Sequence, residues 1–261
     1  MARCSDLFFI YLSMPFPDNV TRLCSRKRFS FGCHPKMACF TECCRELELL
    51  LTPYDVLRLS KELKMHSAEF IDRYVVVEDK KGGLPQLYLG MVNNGRGSCP
   101  FISSRGCRVY NSRPGACRAY PVGRGTMLDA NGKVREIHVL VREEHCQGFA
   151  EPDSHTVSEW FENQGLNDYN NINDAVLSLL QHEQIHQGMT FTREQKDNFM
   201  LALYKLEEFR KIVASAAFQD KYELSPEEHA EILSDDLNLL QFGISWLENL
   251  LFTQRHEQQF F

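Results

Sequence analysis

Ten cysteines crowd into the first part of this 261-residue chain, and none follows Cys146. Thiols used only for packing would be spread along the sequence, because cysteine is a small hydrophobe that suits any core. A secreted disulfide scaffold is usually smaller and arrives with a signal segment. Here the early apolar run, Leu7 to Leu12, is far short of the roughly 20 residues of a spanning helix. Arg3 is offset by Asp6, and no small-x-small cleavage pattern follows. The expectation is a cytoplasmic protein with no membrane span. In a reducing compartment, clustered thiols point to a metal or redox site.

The rest of the composition is that of a globular protein, with 43% hydrophobic and 25% charged residues. The net charge of −6 argues against a nucleic-acid partner, which calls for the opposite sign. The small basic run Arg22, Arg26, Lys27, Arg28 reads as a solvated segment. Three regions are expected: an N-terminal extension over 1–30, a cysteine-bearing metal-binding domain over 31–150, and a helical region over 151–261. The fold class is α+β, a loop-rich cysteine domain with a few short strands and helices followed by helices.

Local signals support that layout. Thr52-Pro53-Tyr54-Asp55 predicts a helix start, with Thr as N-cap, Pro at the first position and Asp near the positive end of the dipole. Val56, Leu57, Leu59 and Leu63 supply its apolar face. A second helix should follow Ser67 with Phe70, Ile71 and Tyr74 inward. Lys80 to Gly83 reads as a turn, Leu87 to Val92 and Val134 to Val141 as strands, and Gly95 to Ser98 as a loop delivering Cys99. Pro114 can open a short helix carrying Cys117, and Pro121 closes it. Further on, Asn173 or Asp174 is expected to cap a helix ending at Gly188. Phe199, Leu203, Leu206, Phe209, Val213 and Ala217 recur at helical spacing. So do Leu237, Leu240, Ile244, Leu247 and Leu251, after a capping box at Ser225 to Glu228. These stripes read as core.

Eight cysteines form two groups: Cys33, Cys39, Cys43 and Cys44, then Cys99, Cys107, Cys117 and Cys146. Most sit beside Gly, Pro or a charged residue, where loops can converge on one ion. Soft thiolates select zinc, copper(I) or iron–sulfur clusters. Four thiolates around Zn²⁺ or a [4Fe–4S] core leave a formal charge of about −2. Arg105, Arg108, Arg113 and Arg118 lie near the second group and Lys36 and Arg45 near the first. They could offset that charge and donate to sulfur. Arg113 and Arg118 are expected to lie against the site, paired with sulfur or a carboxylate. Cys43 and Cys44 are adjacent, so their side chains should diverge. Eight thiols suit two four-ligand sites, or one site with spare thiols. Cys4 and Cys24 belong to no pattern and read as packing residues.

These strings carry a resemblance. Phe31-x-Cys33, Cys39-x3-Cys43-Cys44 and Leu51-Thr52-Pro53-Tyr54-Asp55-Val56-Leu57 look like the YkgJ-like, CxxCxxCC-type cysteine-cluster family. So does Cys99-Pro100-Phe101-Ile102 with Gly106-Cys107-Arg108-Val109-Tyr110-x2-Arg113-Pro114-x2-Cys117-Arg118-x-Tyr120-Pro121. The resemblance implies a zinc- or iron-chelating domain, often one with an iron–sulfur cluster. A version of the domain also occurs in flagellin lysine methylases. The first spacings here are longer than the family name implies, and the helical tail is not part of the shared motifs.

One competing motif remains. His182-Glu183-Gln184-Ile185-His186 matches H-E-x-x-H, which on a helix could bind zinc with Glu183 as general base and Glu207 as a third ligand. Composition alone yields about two or three such matches per hundred chains of this kind. Val176, Leu179 and Leu180 suggest instead a helix packed against the tail. The expected function is a metal-binding protein with a cysteine-ligated iron–sulfur cluster, 4Fe–4S first, or zinc, in a redox or accessory role. The alternatives are a structural zinc module presenting its helical region to a protein partner, and an enzyme. For the enzyme, the resemblance suggests a protein lysine methylase and the H-E-x-x-H string a metallohydrolase.

Overall fold

The computed structural model describes residues 16–129 and 131–252. Cys4 and the Leu7 to Leu12 run lie outside the described residues. In chain order, β1 (Val20–Arg22) and β2 (Phe29–Ser30) come first, then α1 (Pro53–Leu63) and α2 (Ser67–Tyr74). β3 (Val75–Glu78), β4 (Gln86–Leu89), β5 (Ile102–Ser103) and β6 (Gly106–Cys107) follow. Next are α3 (Gly115–Ala119), β7 (Val122–Leu128), β8 (Val134–Val141) and β9 (Ser154–His155). The remainder is helical: α4 (Val157–Asn163), α5 (Asn167–Leu180), α6 (Glu183–His186), α7 (Arg193–Tyr204) and α8 (Leu206–Val213). α9 (Ala216–Lys221), α10 (Pro226–Ser234) and α11 (Asp236–Phe252) complete it. Helix at 47% and strand at 16%, the strands in small sheets, make the class α+β.

The chain forms two compact units, each built from two stretches: 1–47 with 91–168, and 48–90 with 169–261. The first carries every described cysteine and is called the thiol unit below; the second is the helical unit.

In the helical unit, α1 begins as the sequence predicts. Thr52 Oγ1 accepts from Asp55 N at 3.3 Å, and the Asp55 carboxylate accepts from Thr52 N at 2.8 Å. This reciprocal pair satisfies two otherwise unpaired amides of the first turn. Val56, Leu57 and Leu59 are buried. α2 follows with Phe70 and Ile71 buried and Tyr74 half-buried. β4 pairs with β3, and Leu51 N donates to Leu87 O on the same strand. The predicted strand over Leu87 to Val92 is thus Gln86–Leu89, with Val92 only bridging Ser98. Helices α7, α8 and α11 bury Phe199, Leu203, Leu206, Phe209, Val213, Leu240, Leu247 and Leu251. Gly243 permits close approach, since a Cβ there would meet Ala202 O of α7 at 2.8 Å. The stripes fray at their ends, where Ala217 and Leu237 are exposed.

The helix predicted to start at Asn173 or Asp174 and end at Gly188 is two helices. α5 starts at Asn167, so both expected caps lie inside it. Tyr169, Ile172, Val176 and Leu179 are buried at 3–4 spacing, and that burial outweighs the weak helix preference of Asn170, Asn171 and Asn173. Leu180, expected inward, is exposed. Gly188 (φ 90°) does follow a helix, the short α6.

In the thiol unit, β8 runs over Val134–Val141 as expected and is flanked by β1 and β7 in an antiparallel sheet. The 1–30 segment therefore contributes strands, β1 here and β2 in its pair with β9. Phe31 is the centre of an aromatic core, with Tyr120, Phe149 and Trp160 packed edge-on at centroid distances of 5.7, 5.3 and 5.5 Å. Gly148 abuts this core. A Cβ there would stand 2.5 Å from the Phe31 ring and 2.6 Å from Gly32 O.

Candidate metal centre

Eight cysteines of the thiol unit are reduced in this structure: Cys33, Cys39, Cys43, Cys44, Cys99, Cys107, Cys117 and Cys146. Cys33 is exposed and the other seven are half-buried. Cys24, read from sequence as a packing residue, is disulfide-bonded instead.

Backbone bonds hold the cysteine-bearing segments together. Cys99 N donates to Cys44 O at 2.8 Å, and Arg45 bridges Ser98 in antiparallel fashion. The β5–β6 hairpin sets Ile102 opposite Cys107, and Ile102 N donates to Cys99 O. Gln147 N donates to Cys39 Sγ at 3.3 Å, while Gly32 N donates to Gly148 O at 3.0 Å. Cys117 is carried by α3, which starts after Pro114 as expected.

The sulfurs sense one another. Although Cys33 is exposed, partial desolvation by the surrounding loops, followed by the charges of Cys43, Cys39 and Cys146, pushes its thiol up to about 11, while Arg113 pulls it back. Burial also raises Cys99 and Cys107, against amide N–H groups that stabilise their thiolates: Phe101 and Ile102 for Cys99, Val109 for Cys107. Cys43 is lowered to about 7, chiefly because the Cys44 thiol donates to it; Cys44 is raised by the same bond and by burial. The adjacent thiols thus influence each other's ionisation. The pair closes a single 3₁₀ turn, Glu42–Cys44, and the chain leaves it extended at Arg45, so neither regular helix nor strand geometry applies.

Arg113 and Arg118 both donate to loop carbonyls. Arg118 is buried, and each of its three nitrogens donates to a backbone carbonyl: Nε to Arg113, Nη1 to Gln164 and Nη2 to Asn111. Carbonyls of loops without a regular ladder need donors, and a buried guanidinium supplies several in fixed directions. Arg113 donates to Tyr110 O and to the Gln164 side chain and stacks on the Tyr110 ring at 3.9 Å. It still lowers Cys33 and Cys107 by its charge, as Arg108 does for Cys99 and Cys107. A cleft of about 330 Å³ opens beside Arg113, Arg118, Glu162 and Gln164. Of the other basic residues, Arg45 donates to Ser98 Oγ at 2.9 Å, and Arg105 and Lys36 are exposed.

The sulfur-directed amides were not foreseen from sequence, although they follow the pattern Cys-x-x, in which the amide two residues on can turn back to the sulfur. Tyr120 was also missed. Its hydroxyl is buried with no partner in good hydrogen-bond geometry, and its pKa is raised by burial and then by Cys146 beside it.

Among the described residues, no group of three or more His, Cys, Asp and Glu side chains is already gathered into an ion cage. The donor set nevertheless suits a soft ion or cluster. Thiols lie within charge range of one another, amides point at several sulfurs, and arginine charge offsets the anion that binding would create.

The H-E-x-x-H string has no such setting. His182 precedes α6 with extended backbone, so the two histidines do not share a helix face. Its Nδ1 accepts from Gln184 N, and its ring stacks on Phe252 at 3.8 Å. Glu207 accepts from Ser67 N and Oγ at the start of α2.

Residues 33–149, a little under half of the chain, match the family model CxxCxxCC, described as "Putative zinc- or iron-chelating domain". No curated protein and no solved structure matches the chain. The match spans all eight reduced cysteines and stops before α4. No helix among the described residues is long and apolar enough to cross a membrane.

Proposed function

We propose that the thiol unit binds a cysteine-ligated metal centre, a [4Fe–4S] cluster ahead of zinc, in a redox or accessory role in the cytoplasm. The observation that carries this reading is the aim of backbone amides at sulfur. Gln147 N–H donates to Cys39, and the Phe101 and Val109 amides serve Cys99 and Cys107. Amides placed this way oppose the burial that raises the Cys99 and Cys107 thiols and stand ready to donate to a ligating sulfur. Cys33, Cys39, Cys43, Cys44, Cys99, Cys107, Cys117 and Cys146 would supply the ligands.

A bound cluster would supply one-electron chemistry, and zinc would supply rigidity. The chain's own contributions favour the cluster. N–H···S bonds and partial burial are the levers that set a cluster's potential. Arg113 and Arg108 hold positive charge near the sulfurs, and Arg118 fixes the loops on which Arg113 and Cys117 ride. The helical unit is the proposed surface for a protein partner.

Anaerobic purification with metal and sulfide analysis and a visible spectrum tests this. Brown protein with equal iron and sulfide, bleached by dithionite, is expected. Colourless protein with zinc would install the structural zinc module in its place, and metal-free protein would overturn both.

A further inference from the structure

We propose that α4 and its C-terminal neighbour Gln164 latch the Cys117 segment, and that His138 opens this latch when it takes up a proton. The latch is a property of the packing in the thiol unit; its consequence for metal retention rests on the reading above.

Three bonds make the latch. Trp160 Nε1 donates to Ala119 O at 2.9 Å. Gln164 accepts twice, its backbone carbonyl from Arg118 Nη1 at 2.7 Å and its side-chain oxygen from Arg113 Nη2. Arg113 and Ala119 lie on either side of Cys117, so both ends of α3 are held. With only the residues Gly115–Ala119, α3 is too short to persist by itself. The residues that hold it lie beyond the matched span 33–149.

The support under α4 is titratable. Next to Trp160, the Phe161 ring packs on His138 with centroids 5.4 Å apart. His138 is only 7% exposed, and its Nε2 is buried with no hydrogen-bond partner. On its own strand, β8, the Glu136 carboxylate is 3.8 Å from that nitrogen. On β7, Arg124 stands opposite His138 in register and already holds Glu136 at 2.8 Å. The chain after β1 brings the uncharged Leu23, whose N donates to His138 O, and α4 brings the uncharged Phe161.

Burial holds the imidazole below its ordinary range; Glu136 opposes this and Arg124 adds to it. A folded value below the unfolded one, about 6.5, gives stability that is full above that pH. It is lost as pH falls through the folded value. A charged ring buried without a bonded partner is costly, and it gains water only by parting from Phe161. Trp160 and Gln164 ride on the same helix, so that movement strains all three bonds at once.

The test is amide hydrogen exchange of the full-length chain as purified, from pH 7.5 to 5, each rate referred to its intrinsic value. Arg118 N and Tyr120 N, which bond to Pro114 O and Ala116 O within α3, are the probes. Their protection should fall several-fold on acidification, and His138→Phe should move the midpoint of that loss to lower pH. Trp160→Phe, which removes one latch bond, should lower the same protection at pH 7.5. In the unmodified chain the His138 ring-proton titration should share the midpoint of the loss, a check that needs no variant. Equal midpoints with and without His138, a titration out of step with the loss, or protection indifferent to pH would overturn the latch. Metal content measured on the same samples separates the two readings. A His138-dependent loss in metal-free protein sinks the metal reading alone, and metal-bearing protein without that dependence sinks the latch alone.

Discussion

Among the described residues, the largest side chains with almost no exposure include Phe70, Tyr169, Phe199, Phe209, Leu51, Leu59 and Leu240 in the helical unit. From the thiol unit only Phe101 joins them. The helical unit caps helices within the chain at Thr52, Thr192 and Ser225, as Thr156 does for α4 of the thiol unit. The thiol unit relies on strands as short as two residues, a buried arginine gathering loop carbonyls, and eight thiols. Apolar burial can hold the first unit by itself. The second resembles small metal domains in which the ion completes what a thin core does not.

The largest effect should come from removing metal. Structural zinc sites contribute on the order of 10 kcal/mol to folding. Chelation should therefore abolish amide-exchange protection at 91–147 and leave α7 and α11 protected. Equal loss in both units would break the contrast.

Phe209→Ala applies the reverse pressure. The side chain is fully buried and packs on Trp246 at 5.3 Å, so its loss should cost about 3–5 kcal/mol in denaturant melts. Metal content per folded chain should stay unchanged.

Gly148→Ala should cost about 1–3 kcal/mol, because the new methyl must displace Phe31 or Gly32. Here metal retention should fall with stability, since the same contact ties the Cys33 and Cys146 segments.

A smaller effect is expected at Asp236. Burial tends to raise its carboxyl, but bonds from Lys61 and Arg210 outweigh that and hold it below the usual range. A folded value below the unfolded one, about 3.9, gives stability that is fully present above that pH. It is lost as pH falls through the folded value. Asp236→Asn should cost about 1 kcal/mol at neutral pH, discounted because Lys61 is largely exposed, and almost nothing in acid. Replacing His182 and His186 with Ala should have the least effect and leave bound metal unchanged, by elemental analysis.

Much of this was legible in the sequence because the signals are local. Thr52-Pro53-Tyr54-Asp55 carries its own N-cap and its own first-turn carboxylate, so α1 could be placed to the residue. β8 and the buried positions of α7, α8 and α11 follow from periodicity, which burial of one face imposes. The eight-cysteine set was visible because thiols that cluster and then cease need a common purpose. What the sequence determined by itself is therefore the chemistry available and the helices that carry their own caps.

Tertiary structure decided the rest, because long-range bonds leave no local trace. Residues 48–90 group with the helices and not with the cysteines on either side of them. Arg118, next to Cys117 in sequence, turns to the nearby carbonyls of Asn111 and Arg113 and to the distant one of Gln164, because loop carbonyls without a regular ladder claimed its donors. Cys43 and Cys44 sit in a single 3₁₀ turn, and the pairing of Cys39 with the 146–147 segment depended on one amide from more than a hundred residues away. Spacing names candidate ligands; only the folded backbone determines which of them share a neighbourhood.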